Sequence, residues 1–137
     1  MSKTYAQQVR ESYGDTVDQF AQRLNVLPQT VNGWESGTQP QATALALLKY
    51  AEQYPLTLEC RISPDFEDLS IHAQISLLMK NFGDKMQKHF ANRIDIPDWN
   101  ITQWIKNNSM SAHAKRYLYE VAIHPERFTT TPKSYAK

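Results

Sequence analysis

Four residues recurring at one fixed spacing constrain this chain more than any other feature. Phe20, Ala21, Arg23 and Trp34 return as Phe90, Ala91, Arg93 and Trp104, each 70 positions on, and Ala44/Ala114 and Pro55/Pro125 keep the same offset. Leu24, Val26 and Val31 map in the same way to Ile94, Ile96 and Ile101, so apolar character is kept where identity is lost. A period of 70 in 137 residues leaves room for two copies and no more. Self-similarity at a fixed period marks one supersecondary unit used again. The spacing therefore predicts an internal duplication, with units at 1–57 and 69–128, a linker at 58–68 and a polar, threonine-rich, flexible tail at 129–137.

The units read as helical. Only four glycines occur, and Gly and Pro fall mostly at the ends of periodic stretches. Tyr5 and Val9, then Phe20, Ala21 and Leu24, then Leu45, Leu48 and Ala51, follow helical spacing, as do Ile75, Leu78, Met79 and Phe82 in the second half. Within Asn25 to Gly37, NVLPQTVNGWESG, Val31 and Trp34 lie one turn apart while Gln29, Thr30, Asn32 and Gly33 occupy the rest of the surface. Pro28 suits the first helical position, Gly37 a left-handed C-terminal cap, Asn25 a left-handed turn and Thr16 an N-cap. Ala21 supplies the small side chain that two steeply crossing helices need. Two short helices joined by a three-residue turn form a helix-turn-helix, whose second helix can enter the DNA major groove.

The stretch FAQRLNVLPQTVNGWESGTQPQATALALLKYAEQYP resembles the helix-turn-helix of the phage Cro and CI repressors, the XRE class, and most closely that of HigA-type antitoxins. Phe20-Ala21, Thr30-Val31, Trp34-Glu35, Gly37, Pro40, Ala44 to Leu48 and Pro55 carry the resemblance, which covers residues 5 to 55. It departs at Leu27, where the family usually has a serine or threonine N-cap. Together with the internal duplication, the resemblance implies an all-α chain of two tandem lambda-repressor-like helical units. It implies a double-stranded DNA operator as partner, with Pro28, Gln29, Thr30, Asn32 and Gly33 at the base edges and Thr16, Gln19, Ser36, Thr38 and Gln39 at phosphates. It also implies that Arg10 and Glu35 pair to brace the first helix against the recognition helix. The chemistry agrees at Gln29, whose amide can donate and accept at once to adenine. Gly33 would allow close approach rather than read a base.

The second copy departs where DNA would be read: Pro28, Gln29, Glu35 and Gly37 become Asp98, Trp99, Ile105 and Asn107. Matching Gly14 to Gly83 sets Met79 opposite Arg10, so both halves of the brace turn apolar together. Trp99 and Ile105 are then dimerisation candidates. Alternatively this copy still grips phosphates through Lys80, Lys85, Lys88, Lys106, Lys115 and Arg116, or it is an inert remnant.

Charge is divided unevenly. Residues 1–57 hold four Lys/Arg against five acids, 58–68 one against four, and the rest ten against five, so a net +1 hides a basic C-terminal half. That asymmetry fits a polyanion partner or a solvated basic face. No apolar run nears the roughly 18 residues of a membrane span, and the start MSKTYAQQ lacks the apolar core of a signal peptide, so a cytoplasmic protein without membrane contact is expected. The single Cys60 allows no internal disulfide, and reads as a small, semi-buried residue. His72, His89, His113 and His124 lack metal-ligand spacing, and no phosphate loop or activated nucleophile is present. The expectation is no enzyme, no metal and no cofactor. The functions left open are a repressor from a phage, plasmid or other mobile element that occludes a promoter as a homodimer, an antitoxin that binds a toxin and autoregulates its operon, and a regulator that also binds RNA. For the linker, the alternation of Leu58, Cys60 and Ile62 permits a strand, whereas the resemblance favours a short helix.

Overall fold

The computed structural model describes residues 3–56, 66 and 68–128; Cys60, the strand-or-helix question at 58–62 and the tail at 129–137 lie outside the described residues. Among the described residues every regular element is helical: α1 (Tyr5–Tyr13), α2 (Val17–Leu24), α3 (Pro28–Glu35), α4 (Ala42–Gln53), α5 (Ile71–Phe82), α6 (Gln87–Arg93), α7 (Asp98–Asn107), α8 (Ala112–Ile123) and a closing 3-10 turn (Pro125–Phe128). None of these helices is long and apolar enough to cross a membrane. The chain divides into unit 1, Met1–Arg61 with Ala112–Arg116, and unit 2, Ile62–Ser111 with Tyr117–Lys137, so the first turn of α8 groups with unit 1.

Unit 1 is made of short helices whose ends are written locally. Thr4 caps α1 by accepting from the Gln7 N–H, and Gly14 ends it in the left-handed region at φ 69°, where a Cβ would be strained. Two residues on, Thr16 and Gln19 form a reciprocal capping box that starts α2. Phe20, Leu24, Val31, Leu47 and Leu48 are fully buried, and Ala6, Val9, Ala21, Trp34 and Ala51 fill around them. Truncating a large member of such a core costs about 2–5 kcal/mol. Arg23 closes the unit. Its Nε and Nη2 each donate to Asp15 at 2.8 Å, its Nη1 donates to the Leu56 carbonyl, and its guanidinium lies 4.6 Å from the centre of the Tyr13 ring. One side chain thereby joins the α1–α2 corner to the chain beyond α4.

Unit 2 has the same construction in its own residues. Ser70 caps α5 by accepting from Ala73 N–H, and Gly83 ends it at φ 76°. Phe90, Ile94, Ile101, Leu118 and Val121 are fully buried, with Ile75, Leu78, Ala91, Trp104 and Tyr117 around them. Arg93 Nε and Nη2 each donate to Asp84 at 2.8 Å, Nη1 donates to the Phe128 carbonyl at 3.0 Å, and the guanidinium lies 4.7 Å from the centre of the Phe82 ring. The Tyr117 hydroxyl donates to the Ile94 carbonyl, and its ring meets Phe128 edge-on at 5.9 Å, which ties α8 to the end of α6.

Candidate nucleic-acid interface

The corner between α2 and α3 forms because Asn25 takes a left-handed conformation, φ 60°, and Val26 N–H returns to the Ala21 carbonyl at 2.9 Å. Asparagine tolerates that region better than most residues. The next helix starts with Pro28 after Leu27, which offers no capping side chain and is 64% exposed. Val31 and Trp34 turn inward and are buried, which leaves Gln29 and Asn32 exposed and Pro28, Thr30 and Gly33 half-buried. Arg10 reaches across from α1 to the far end of α3: its Nε donates to Glu35 Oε2 at 2.6 Å and its Nη2 to Oε1 at 3.0 Å. Its Nη1 also donates to the Asp15 carbonyl at 3.0 Å. The hydrogen bonds to Glu35 raise the Arg10 pKa above its ordinary value, outweighing partial desolvation. The outer face of α3 is therefore held at both ends while its polar side chains remain outside.

That face carries no cation, because residues 24–48 contain no lysine or arginine. Any phosphate contact near it falls to neutral donors. In the capping box, Thr16 Oγ1 and Gln19 Oε1 act as acceptors, which leaves the Thr16 hydroxyl proton and the Gln19 amide protons free to donate outward. Ser36 is different, since its hydroxyl donates to the Asn32 carbonyl at 2.7 Å and has no second proton. Thr38 and Gln39 are exposed, and Thr38 N–H closes α3 on the Gly33 carbonyl at 2.9 Å. A Cβ built on Gly33 would meet nothing nearer than Thr38 Oγ1 at 3.9 Å. Neither its backbone conformation nor the packing of unit 1 requires glycine there, although glycine costs a helix about 0.5–1 kcal/mol relative to alanine.

In unit 2 the corner between α6 and α7 repeats these features. Asp95 adopts φ 60°, and Ile96 N–H returns to the Ala91 carbonyl at 3.0 Å. The α7 surface differs. Trp99 is 68% exposed at the position matching Gln29, Ile105 is half-buried, and Gln87 Nε2 donates to Asp98 Oδ1 at 2.7 Å and to Thr102 Oγ1 at 2.8 Å. Lys106 and Lys115 are exposed. Arg116 is not: it is 1% exposed, and its Nε donates to the Arg23 carbonyl within unit 1 at 3.1 Å, so burial removes it from the phosphate-contacting set.

Sequence reasoning missed the Arg23–Asp15 and Arg93–Asp84 pairs. The signal was present, since both arginines belong to the recurrence and both aspartates directly follow the glycines that align the copies. No group of His, Cys, Asp or Glu that could hold a metal occurs among the described residues.

Comparison with known proteins adds one match. The Helix-turn-helix family model covers residues 7–59, which takes in α2, α3, α4 and most of α1. That stretch, less than half of the chain, is similar to helix-turn-helix domains, a module of DNA-binding regulators. Neither the curated proteins nor the solved structures provide a significant match to the chain.

Proposed function

We propose that this chain is a sequence-specific repressor that lays α3 in the major groove of an operator and covers a promoter. The observation that carries this reading is the outer face of α3. Gln29 and Asn32 are exposed amides, each able to donate and accept at once, on a helix fixed from within by Val31 and Trp34 and from the side by the Arg10–Glu35 pair. At the positions matching Gln29 and Asn32, α7 has Trp99 and Thr102, so on this reading a second half-site calls for a second chain, and two chains would read an inverted repeat about one helical turn apart. The matched Arg23 and Arg93 clusters, together with the matched left-handed Asn25 and Asp95, support a common origin for the two units.

Footprinting on the DNA upstream of its own gene tests the reading, with Gln29→Ala as the probe of specificity. We expect that variant to lose about 1–3 kcal/mol on the protected site and little on random DNA. Equal losses on both would remove Gln29 from base reading. The likeness of Thr30-Val31, Trp34-Glu35 and Gly37 to HigA-type antitoxins favours a second reading, a toxin-neutralising protein that also binds its own operon. Stable co-purification with the product of an adjoining gene distinguishes that role from repression alone.

A further inference from the structure

We infer that unit 2 is a second duplex-DNA contact, one that grips the phosphate backbone through lysines rather than reading sequence. The inference takes the identity of its polyanion from the DNA-binding reading of unit 1. Its own support comes from where cations are paired and where they are not. Lys3 pairs with Glu11, Arg10 with Glu35 and Arg23 with Asp15, so three of the four cations in residues 1–57 are already engaged by acids. In unit 2, Lys80, Lys85, Lys88 and Lys106 are all exposed, and none is in an ion pair among the described residues. Matching Gly14 to Gly83 sets Lys80 where unit 1 has Glu11, and the offset of 70 sets Lys88 where it has Asp18 and Lys106 where it has Ser36. Two of these three exchanges reverse an acid, and the third puts a cation where unit 1 has an exposed serine.

Intramolecular stability explains only half of this pattern. Lys80 and Lys106 lie in the last turns of α5 and α7, where a cation suits the helix dipole. Lys88 lies in the first turn of α6, where a cation opposes it, and Lys85 comes just before the cap. The same helix has Met86 as N-cap, with no side-chain hydrogen bond, where α2 has Thr16 and its capping box. The start of α6 is thus less stable by its own sequence than the start of α2, and the positive charge there does not stabilise the helix and is open to an external anion. Two exposed aspartates, Asp95 and Asp98, share this part of the unit; Gln87 holds Asp98, and four lysines outnumber the pair. Lysines at phosphates supply affinity that is indifferent to sequence, the contribution the cation-free α3 face lacks.

The test uses the full chain and a short random-sequence duplex, with binding measured across a range of salt concentrations. Replacing Lys85, Lys88 and Lys106 together by alanine should make the dependence of log K on log salt shallower by about two to three, and should weaken random and operator DNA alike. Lys88→Asp gives a second readout, because it should keep or raise the melting temperature while lowering affinity for the random duplex. Trp99 reports occupancy, since Trp34 and Trp104 are buried at 6% and 8% exposure and acrylamide quenching therefore reads Trp99. The duplex should shield it. An unchanged salt slope in folded variants would overturn the inference. So would shielding of Trp99 by rising protein concentration but not by duplex, which would make this face a contact between chains. A single-stranded RNA that outcompetes the duplex would overturn the choice of partner. If Gln29→Ala leaves operator binding intact while the lysine variants still flatten the slope, the reading of unit 1 fails and that of unit 2 survives.

Discussion

Arg23 in unit 1 and Arg93 in unit 2 make the same three contacts: a bidentate carboxylate at 2.8 Å, a carbonyl near the end of the unit, and an aromatic ring at 4.6 and 4.7 Å. Around these matching centres the surfaces diverge. Unit 1 ties α1 to α3 with Arg10 and Glu35, whereas unit 2 has Met79 and Ile105, both half-buried, at the matching places. Unit 1 turns Gln29 outward and unit 2 turns Trp99 outward. The difference teaches that the arginine centre and the outer face of the helix after the corner are specified by separate residues, so the two units agree in one and differ in the other.

The strongest way to break this comparison is to remove the shared centre. Arg23→Ala and Arg93→Ala each leave a nearly buried aspartate without its cation, and each should destabilise its own unit by about 3–5 kcal/mol. Hydrogen exchange resolved by unit would measure both. A small loss at Arg93 beside a large one at Arg23 would mean that the likeness of the centres is geometric and not energetic. Lysine should rescue neither, because a single ammonium cannot hold both carboxylate oxygens and stack on the ring.

The brace gives a smaller effect, confined to unit 1. Arg10→Ala and Glu35→Ala should each cost about 1–3 kcal/mol, since a partly buried charge is left without its partner. A double-mutant cycle should return a coupling of about 0.5–3 kcal/mol. Denaturant titration of the four proteins measures it, and additive losses would show that the pair contributes no coupling.

The smallest expected effect has the opposite sign. Gly33→Ala should stabilise unit 1 by about 0.5–1 kcal/mol, because the added methyl has room and the helix gains a better former. The same variant should bind the operator less tightly if the backbone at Gly33 approaches the DNA. Melting temperature and operator affinity moving in opposite directions would locate that approach; affinity unchanged would show α3 standing further off at this point.

Most of the architecture could be read in the sequence because its signals are local. Pro28, Asn25 and Thr16 act within a few residues of themselves, and the structure places each at the helix end or turn its chemistry favours. The recurrence also pointed to the buried positions, since Phe20, Ala21 and Trp34 and their counterparts are all buried. What it did not reveal is interaction at a distance in the chain. Arg23 and Leu56 are 33 residues apart, and nothing in either stretch names the other. Arg116 shows the same limit in reverse: in the sequence it is one more cation beside Lys115, and only folding buries it against the Arg23 carbonyl. Gly33 was singled out from sequence for close approach, but that nothing within unit 1 demands it could be learned only from the space around it.

The arginine centres also make the domain rewritable. Arg23, Asp15 and Tyr13 belong to α1, α2 and the corner between them, whereas Gln29 and Asn32 belong to α3, so the residues that hold the domain together and those it presents to the outside are different letters of the sequence. Writing glutamine and glycine into α7 in place of Trp99 and Gln103 would therefore change what that helix presents while leaving the Arg93 centre and the Gln87–Thr102 contact in place.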